Sequence, residues 1–359
     1  MTLPRLRPDI DDLPAYKAGQ RPVPREDIVT YKISSNENPY PPLPGVMEAI
    51  MRAASEVHRY PDPFSRRLVT VIAERFDVPE DAISLGTGSV AICGQIVTVA
   101  AGPGDEVLYA WRSFESYPIV THIAGATSVQ VPLLPDERHD LEGMLAAVTE
   151  RTRVIFVCSP NNPTGQVVTT PEILGFLSRV PPDVVVVLDE AYREFSAHDD
   201  VPDGIELTRQ FPNVVALRTF SKAYGLAALR IGFAVAHPVV TAALRKTALP
   251  FGVSSIAEEA AIASLAAEDQ LLERVHALVG ERERVWNALR QQGWDIQRTE
   301  ANFVWLRLGE RTTDFVAACE DAGITVRPFP GEGVRITVAE TEANDRVIEV
   351  AREFRSLMG

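Results

Sequence analysis

Apolar, largely β-branched runs recur along the first two-thirds of the chain, and stretches of helical spacing separate them. They are Ala82-Ile83-Ser84-Leu85, Glu106-Val107-Leu108-Tyr109, Val129-Gln130-Val131-Pro132-Leu133, Val154-Ile155-Phe156-Val157, Val184-Val185-Val186-Val187-Leu188 and Val214-Val215-Ala216-Leu217. A run that is apolar at successive positions, with no polar alternation, reads as a strand covered on both faces. Strand and helix alternating in this way predict an α/β domain around a mostly parallel central sheet covered by helices. In such sheets ligands sit outside the carboxyl ends of the strands. The residues that follow each run are therefore the ones to inspect.

After Pro250 the pattern changes. A long Ala-rich helical region is expected from Ile256 to about Arg290, followed by short strands at Asn302–Arg307, Gly323–Arg327 and Val334–Val338 and a final helix. The expected organisation is an N-terminal arm over 1–30 that packs on the smaller domain, a large α/β domain over 31–250, and a smaller α+β domain over 251–359. The net charge of -14 argues against a phosphate backbone as partner, since nucleic-acid binding rests on clustered Lys and Arg. No apolar run has the length of a membrane span. Pro4, Arg5, Arg7, Pro8 and Asp9 stand where a signal peptide would carry its apolar core. The three cysteines, Cys93, Cys158 and Cys319, have neither metal nor disulfide spacing. A cytoplasmic protein that binds no membrane, nucleic acid or metal is expected.

The residues after the strands carry chemistry. Thr219-Phe220-Ser221-Lys222-Ala223-Tyr224-Gly225 follows the sixth run, with Arg230 eight residues beyond the lysine. Only four of the 35 basic residues are lysines, so the placement of one at a strand end is informative. A desolvated lysine can lose its proton and form a Schiff base; an arginine cannot. Read alone, Lys222 is equally an ordinary loop lysine. Asp189-Glu190-Ala191-Tyr192 follows the fifth run directly. A strand-end Asp suits a Mg²⁺ site in a nucleotide hydrolase, but no P-loop is present to supply the phosphate partner. Such an Asp can also hold a proton on a pyridine nitrogen. Ser159-Pro160-Asn161-Asn162-Pro163-Thr164-Gly165 follows the fourth run and reads as a turn by composition.

Gly86-Thr87-Gly88-Ser89-Val90-Ala91 fits the loose dinucleotide fingerprint and raises an NAD-dependent dehydrogenase as a rival. That rival needs an acidic residue for the ribose at the end of the next strand, which instead reads Tyr109-Ala110-Trp111. What remains is a Gly turn opening a helix, whose backbone N–H groups suit one phosphate. A purely structural turn explains it as well. Arg335, in Val334-Arg335-Ile336-Thr337-Val338, either faces solvent or grips a carboxylate in bidentate fashion.

Taken together, these motifs resemble those of the pyridoxal-phosphate aminotransferases of fold type I. The likeness is to the histidinol-phosphate aminotransferase branch and its aromatic amino acid relatives, and it covers nearly the whole chain. The resemblance implies a pyridoxal 5′-phosphate cofactor and a homodimer with shared active sites. It implies that Lys222 carries the cofactor and that Asp189 pairs with the pyridine nitrogen. It also implies that Asn162 and Tyr192 bond the 3′ oxygen and that Phe114 stacks on the ring. Thr219, Ser221, Arg230 and the amides at Gly88, Ser89 and Val90 would hold the phosphate, with Tyr60 reaching in from the neighbouring subunit. Arg335 would bind the substrate carboxylate, with Asn38 and Tyr16 nearby. The amino group would pass to a second 2-oxo acid in two half-reactions, with ping-pong kinetics.

Two segments depart from the histidinol-phosphate pattern: Ser89-Val90-Ala91, where acidic residues are common, and Trp111 to Tyr117, where Pro-Thr-Tyr is more usual. The stretches 34–42, 112–117 and 327–335 resemble the aromatic branch more closely. Phe114, Tyr117 and Phe329 are expected to offer apolar surface to a benzyl side chain. The expected reaction is transamination of phenylalanine or tyrosine with 2-oxoglutarate; histidinol phosphate is the alternative substrate.

Overall fold

The computed structural model describes Pro4, Ile10, Leu13 and residues 19–357. The chain begins with β1 (Tyr31–Lys32), α1 (Pro44–Ala54) and α2 (Arg66–Phe76). Strands and helices then alternate: β2 (Ile83–Gly86), α3 (Ser89–Ala100), β3 (Glu106–Trp111), α4 (Ser116–Ile123), β4 (Thr127–Pro132), α5 (Leu141–Ala146), β5 (Thr152–Cys158) and α6 (Thr170–Leu177). The series continues with β6 (Val185–Asp189), α7 (Gly204–Thr208), β7 (Val214–Thr219), β8 (Gly232–Ala236) and α8 (Pro238–Thr247). Two helices follow, α9 (Ser255–Ala266) and α10 (Glu268–Gln291). The last part holds β9 (Phe303–Arg307), α11 (Thr312–Asp321), β10 (Ile324–Thr325), β11 (Arg327–Phe329), β12 (Gly333–Thr337) and α12 (Thr341–Ser356).

The central sheet has the order β2-β8-β7-β6-β5-β3-β4. From β7 to β4 every pairing is parallel, as the doubly covered runs predict. Alternate residues of one strand feed different cores. Val187, Val154 and Phe156 face a cluster with Ile92 and Tyr117. Val186, Val157 and Leu188 face another with Ile173 and Phe176. This two-sided burial is why the valine runs carry no polar alternation. Strand β8 has no counterpart in the sequence reading. Its residues, Gly-Phe-Ala-Val-Ala, are small and short of β-branching, yet it lies between β2 and β7 and runs antiparallel to both.

The chain order reverses between β3 and β5, which opens a crevice at their carboxyl ends. The loops after these strands are tied across it, where Ser113 Oγ donates to Asn161 Oδ1 at 2.7 Å. The smaller sheet, β11-β12-β9, is antiparallel and has its own core with Val304, Leu306, Phe315, Ile336 and Val347. Strand β1 pairs in parallel with β10. Arg25 donates to the Asp321 carbonyl and Arg346 to the Val29 carbonyl, so residues 25–29 lie against this part of the chain.

The helical region expected from Ile256 to about Arg290 is two helices, divided at Ala267, which has φ -110° and ψ 22°. Residue 250 is also not where packing changes. Ala257, Ala260, Ala261, Leu265, Leu271, Val275 and Leu278 share one core with Leu43, Val46, Leu68, Ile72 and Phe220. Only from Val285 does α10 turn to the core of the smaller sheet. An Ala-rich helix face closes tightly on α1 and α2, and no run of residues near 250 announces that contact.

Candidate active site

The carboxyl ends of β5, β6 and β7 deliver the three strand-end motifs to one cavity of about 210 Å³. Its walls include Ser89, Val90, Phe114, Asn162, Asp189, Tyr192, Thr219, Ser221, Lys222, Arg230 and Arg335. Residues scattered over most of the chain therefore meet as the sequence motifs suggested.

Asp189 ends β6 and is 3% exposed. Burial pushes its carboxyl up to about 6, because the charged form is poorly solvated there. Tyr117 opposes this: its hydroxyl donates to Asp189 Oδ2 at 2.7 Å and favours the carboxylate. The Ala191 amide reaches Oδ1 at 3.2 Å. Lys222 Nζ donates to the Ser35 carbonyl at 3.1 Å. Burial, then the charge of Arg335, bring the amine down to about 7, with Glu37 opposing. At neutral pH the amine is thus divided between its base and acid forms.

Arg335 enters from β12. Its Nη1 donates to Asn162 Oδ1 at 2.5 Å and its Nη2 to the Ser34 carbonyl at 2.9 Å. The Tyr192 hydroxyl accepts from Asn36 Nδ2 at 2.9 Å, and burial raises its pKa. Phe114 stands edge-on to Tyr117, with ring centroids 5.6 Å apart.

The loop before α3 forms an anion cradle. Gly88 caps the helix at φ 81° and ψ 161°, a region that side chains avoid, and a Cβ there would run into Arg230 Nη2. Gly232, on the neighbouring strand, would bring a Cβ within 2.7 Å of the Ser89 amide. The two glycines keep the amide and the guanidinium open to the cavity. Arg230 itself sits at φ 55°, and its Nη1 donates to the Ala227 carbonyl at 2.8 Å and to Ser221 Oγ at 3.3 Å. Helix N-terminus, hydroxyls of Thr219 and Ser221, and arginine together have the chemistry that suits an anion such as a phosphate. The dehydrogenase reading of this loop fails on topology: β2 is an edge strand antiparallel to its neighbour, not part of a parallel βαβ unit.

Among the described residues, Asn38 and Tyr60 are expected site residues that are not in the cavity wall. Asn38 is committed elsewhere: its Nδ2 donates to the Ala223 carbonyl at 2.8 Å and its Oδ1 accepts from the Tyr40 amide at 3.0 Å. Tyr60 is 83% exposed and lies against Phe251, with ring centroids 4.7 Å apart. Tyr16 lies outside the described residues. Tyr117 and Phe329 are buried and absent from the cavity wall, so neither offers the apolar surface expected of it. Tyr117 stacks on Phe156 with centroids 4.3 Å apart and holds Asp189 instead. Phe329 packs edge-on against Trp305.

Sequence reasoning missed Asn36, which holds Tyr192 and accepts from Thr337 Oγ1 at 3.1 Å. Its φ of 53° is one that Asn tolerates better than most residues, and this was its one available signal. Among the described residues no group of three or more His, Cys, Asp or Glu is placed to hold a metal, and no helix is long and apolar enough to cross a membrane.

Residues 30–350 match the family described as Aminotransferase class I and II. The chain belongs to the class I and II aminotransferases. Within this aminotransferase family it is 61% identical over 354 residues to a protein of Streptomyces coelicolor named aromatic amino acid aminotransferase, covering 99% of this chain and 98% of that one. A protein of the same name from Thermobifida fusca is 56% identical over 351 residues, covering 98% and 97%. Among solved structures, histidinol-phosphate aminotransferase from Sinorhizobium meliloti, in complex with pyridoxal 5′-phosphate, matches with a TM-score of 0.88 at 30% identity, covering 100% of this chain and 99% of that one. The aminotransferase fold is therefore shared with histidinol-phosphate enzymes, while the nearer sequence likeness named here is to aromatic ones.

Proposed function

We propose that this aminotransferase moves the amino group of phenylalanine or tyrosine to 2-oxoglutarate, with pyridoxal 5′-phosphate held at Lys222. One observation carries the chemistry: a buried lysine amine brought down to about 7 shares a cavity with a buried carboxyl pushed up to about 6. The names and identities of the Streptomyces and Thermobifida relatives support the aromatic substrate. The residues present fit the cofactor: the Gly88–Arg230 cradle suits its phosphate and Asp189 its pyridine nitrogen.

When bound, pyridoxal phosphate supplies an electron sink for the charge left at the substrate α-carbon. Asp189 would keep the proton on the ring nitrogen, and Tyr117 keeps Asp189 ionised and aimed. Ser89, Val90, Thr219, Ser221 and Arg230 would hold the phosphate, beside the Gly88 turn. Asn162 and Tyr192 would bond the 3′ oxygen, and Phe114 would cover the ring. Lys222 takes the α-proton as a base and returns it as an acid, which its divided protonation near pH 7 allows. Arg335 orients the substrate through its carboxylate.

We read the exposed Tyr60 as belonging to the site of a second copy, in a homodimer with shared sites. The cofactor-holding unit on this reading extends past residue 250 through α9 and the first half of α10, and the smaller unit begins where α10 turns to the other core. Three buried, unpaired thiols accord with a reducing, cytoplasmic setting.

Borohydride reduction of the holoenzyme followed by peptide mapping should place the cofactor on Lys222, and a label on another lysine would sink the assignment. The substrate is tested by comparing kcat/KM for phenylalanine and L-histidinol phosphate. A hundredfold preference for histidinol phosphate, about 2.7 kcal/mol of transition-state binding, would reverse it.

A further inference from the structure

Two guanidinium groups reach the cavity from adjacent strands. Arg327 on β11 is the direct cross-strand partner of Arg335 on β12, and both line the cavity. Like charges directly opposite one another are unfavourable, and more so where water is scarce. Glu115 offsets this. It comes from the loop after β3, 212 residues away in sequence, and its Oε2 accepts from Arg327 Nη2 at 2.7 Å. The side chains of Arg327 and Glu115 are 8% and 29% exposed, and Glu115 lines the same cavity beside Phe114. The Arg327 guanidinium also lies over the Phe329 ring, 5.6 Å from its centroid.

The two arginines therefore present different surfaces. Arg335 donates to the neutral oxygens of Asn162 and Ser34. Arg327 donates to a carboxylate, which cancels its charge where it faces the cavity. A substrate side chain arriving at that wall meets a closed ion pair. An anionic side chain must dislodge Glu115 or lie against its charge. An uncharged ring does neither, and a flat guanidinium accepts an aromatic neighbour.

We propose that Glu115 is a specificity-determining residue: by pairing with Arg327 it makes the side-chain wall of the cavity neutral, admitting uncharged aromatic side chains and penalising anionic ones. The inference rests on the aromatic reading above and supplies its repulsive element. One consequence is a cost to the acceptor. The distal carboxylate of glutamate or 2-oxoglutarate meets the same wall, so that half-reaction carries the lower kcat/KM.

The test uses the holoenzyme and the isosteric variant Glu115→Gln, with Glu115→Ala as a second variant. Glu115 caps α4 without a side-chain hydrogen bond to the helix, so neither change removes a cap. The measurement is kcat/KM for phenylalanine, glutamate and L-histidinol phosphate. Both variants should raise the two anionic substrates at least tenfold and change phenylalanine less than threefold. Unchanged values for the anionic substrates in the variants would overturn the inference, as would a parallel fall for all three. The wild-type ratio of phenylalanine to L-histidinol phosphate tests the aromatic reading separately, and a preference for the phosphate there would remove both.

Discussion

Replacing Tyr117 by Phe removes one hydroxyl and leaves the ring that stacks on Phe156. The lost bond, 2.7 Å long, goes to Asp189 Oδ2 and favours the ionised carboxyl. A hydrogen bond to a charged group contributes about 1.5–3 kcal/mol, and about 1.36 kcal/mol corresponds to one pKa unit. Tyr117→Phe should therefore raise the Asp189 pKa by about one to two units above its present value of about 6. At pH 7 the ionised fraction would fall from about nine-tenths to between about one-half and one-tenth. Carboxyl carbon NMR of the apoprotein labelled at Asp measures this directly, with Asp189→Asn assigning the resonance. The sign of the stability effect follows. Asp189 already has a folded pKa above its unfolded value of 3.8, so its ionisation costs stability as pH rises through about 6. The variant must ionise it with one fewer bond, so the Tm gap between variant and wild type should widen from pH 6 to pH 8. Cofactor affinity should show an acid limb moved to higher pH by the same amount. A folded variant whose Asp189 resonance titrates within 0.3 units of wild type would refute the role given to Tyr117.

Gly88→Ala introduces a Cβ against Arg230 at a backbone geometry that costs about 1–3 kcal/mol for any side chain, so cofactor affinity should fall by about tenfold to a hundredfold. Titration with pyridoxal phosphate followed by visible absorbance checks this, and an affinity within twofold of wild type would mean the cradle does not hold the phosphate. Mixing inactive Lys222→Ala with a Tyr60→Phe variant of low activity should restore activity in hybrid dimers, where one site regains both Lys222 and Tyr60. No recovery after demonstrated subunit exchange would remove Tyr60 from the shared site.

The strand ends were legible because their physics is local. A valine run buried on both faces must end somewhere, and the polar residues that close the runs, Asp189 after Leu188 and Thr219 two places past Leu217, stand at the crevice. Strand β8 was not legible, because Gly232 is there for the Ser89 amide that passes close by, and glycine and two alanines lend the segment little strand propensity. The same holds at Asn36 and Asn38. Two asparagines two residues apart look equivalent in sequence, and only a φ of 53° sends one to Tyr192 while the other ties the chain at Ala223. Tyr117 was read as ligand surface because an aromatic residue near a site reads as such. Its place against Asp189 depends on a helix packing across the sheet, 72 residues away in sequence. The Glu115–Arg327 pair spans 212 residues and has no local signature at all.

The closure between Asn36 and Thr337, 301 residues apart, has a consequence for how the enzyme is made. Synthesis runs from the N-terminus and domains fold as they emerge. A nascent chain that has reached Gly232 already holds Lys222, Asp189 and the Gly88–Arg230 cradle, yet it lacks Arg335, the residue proposed to orient substrate. That arginine is made 301 residues after Ser34, whose carbonyl it grips. On the proposed assignment the ribosome thus makes the reactive groups before the means of holding substrate, and turnover waits for Arg335 to reach Ser34.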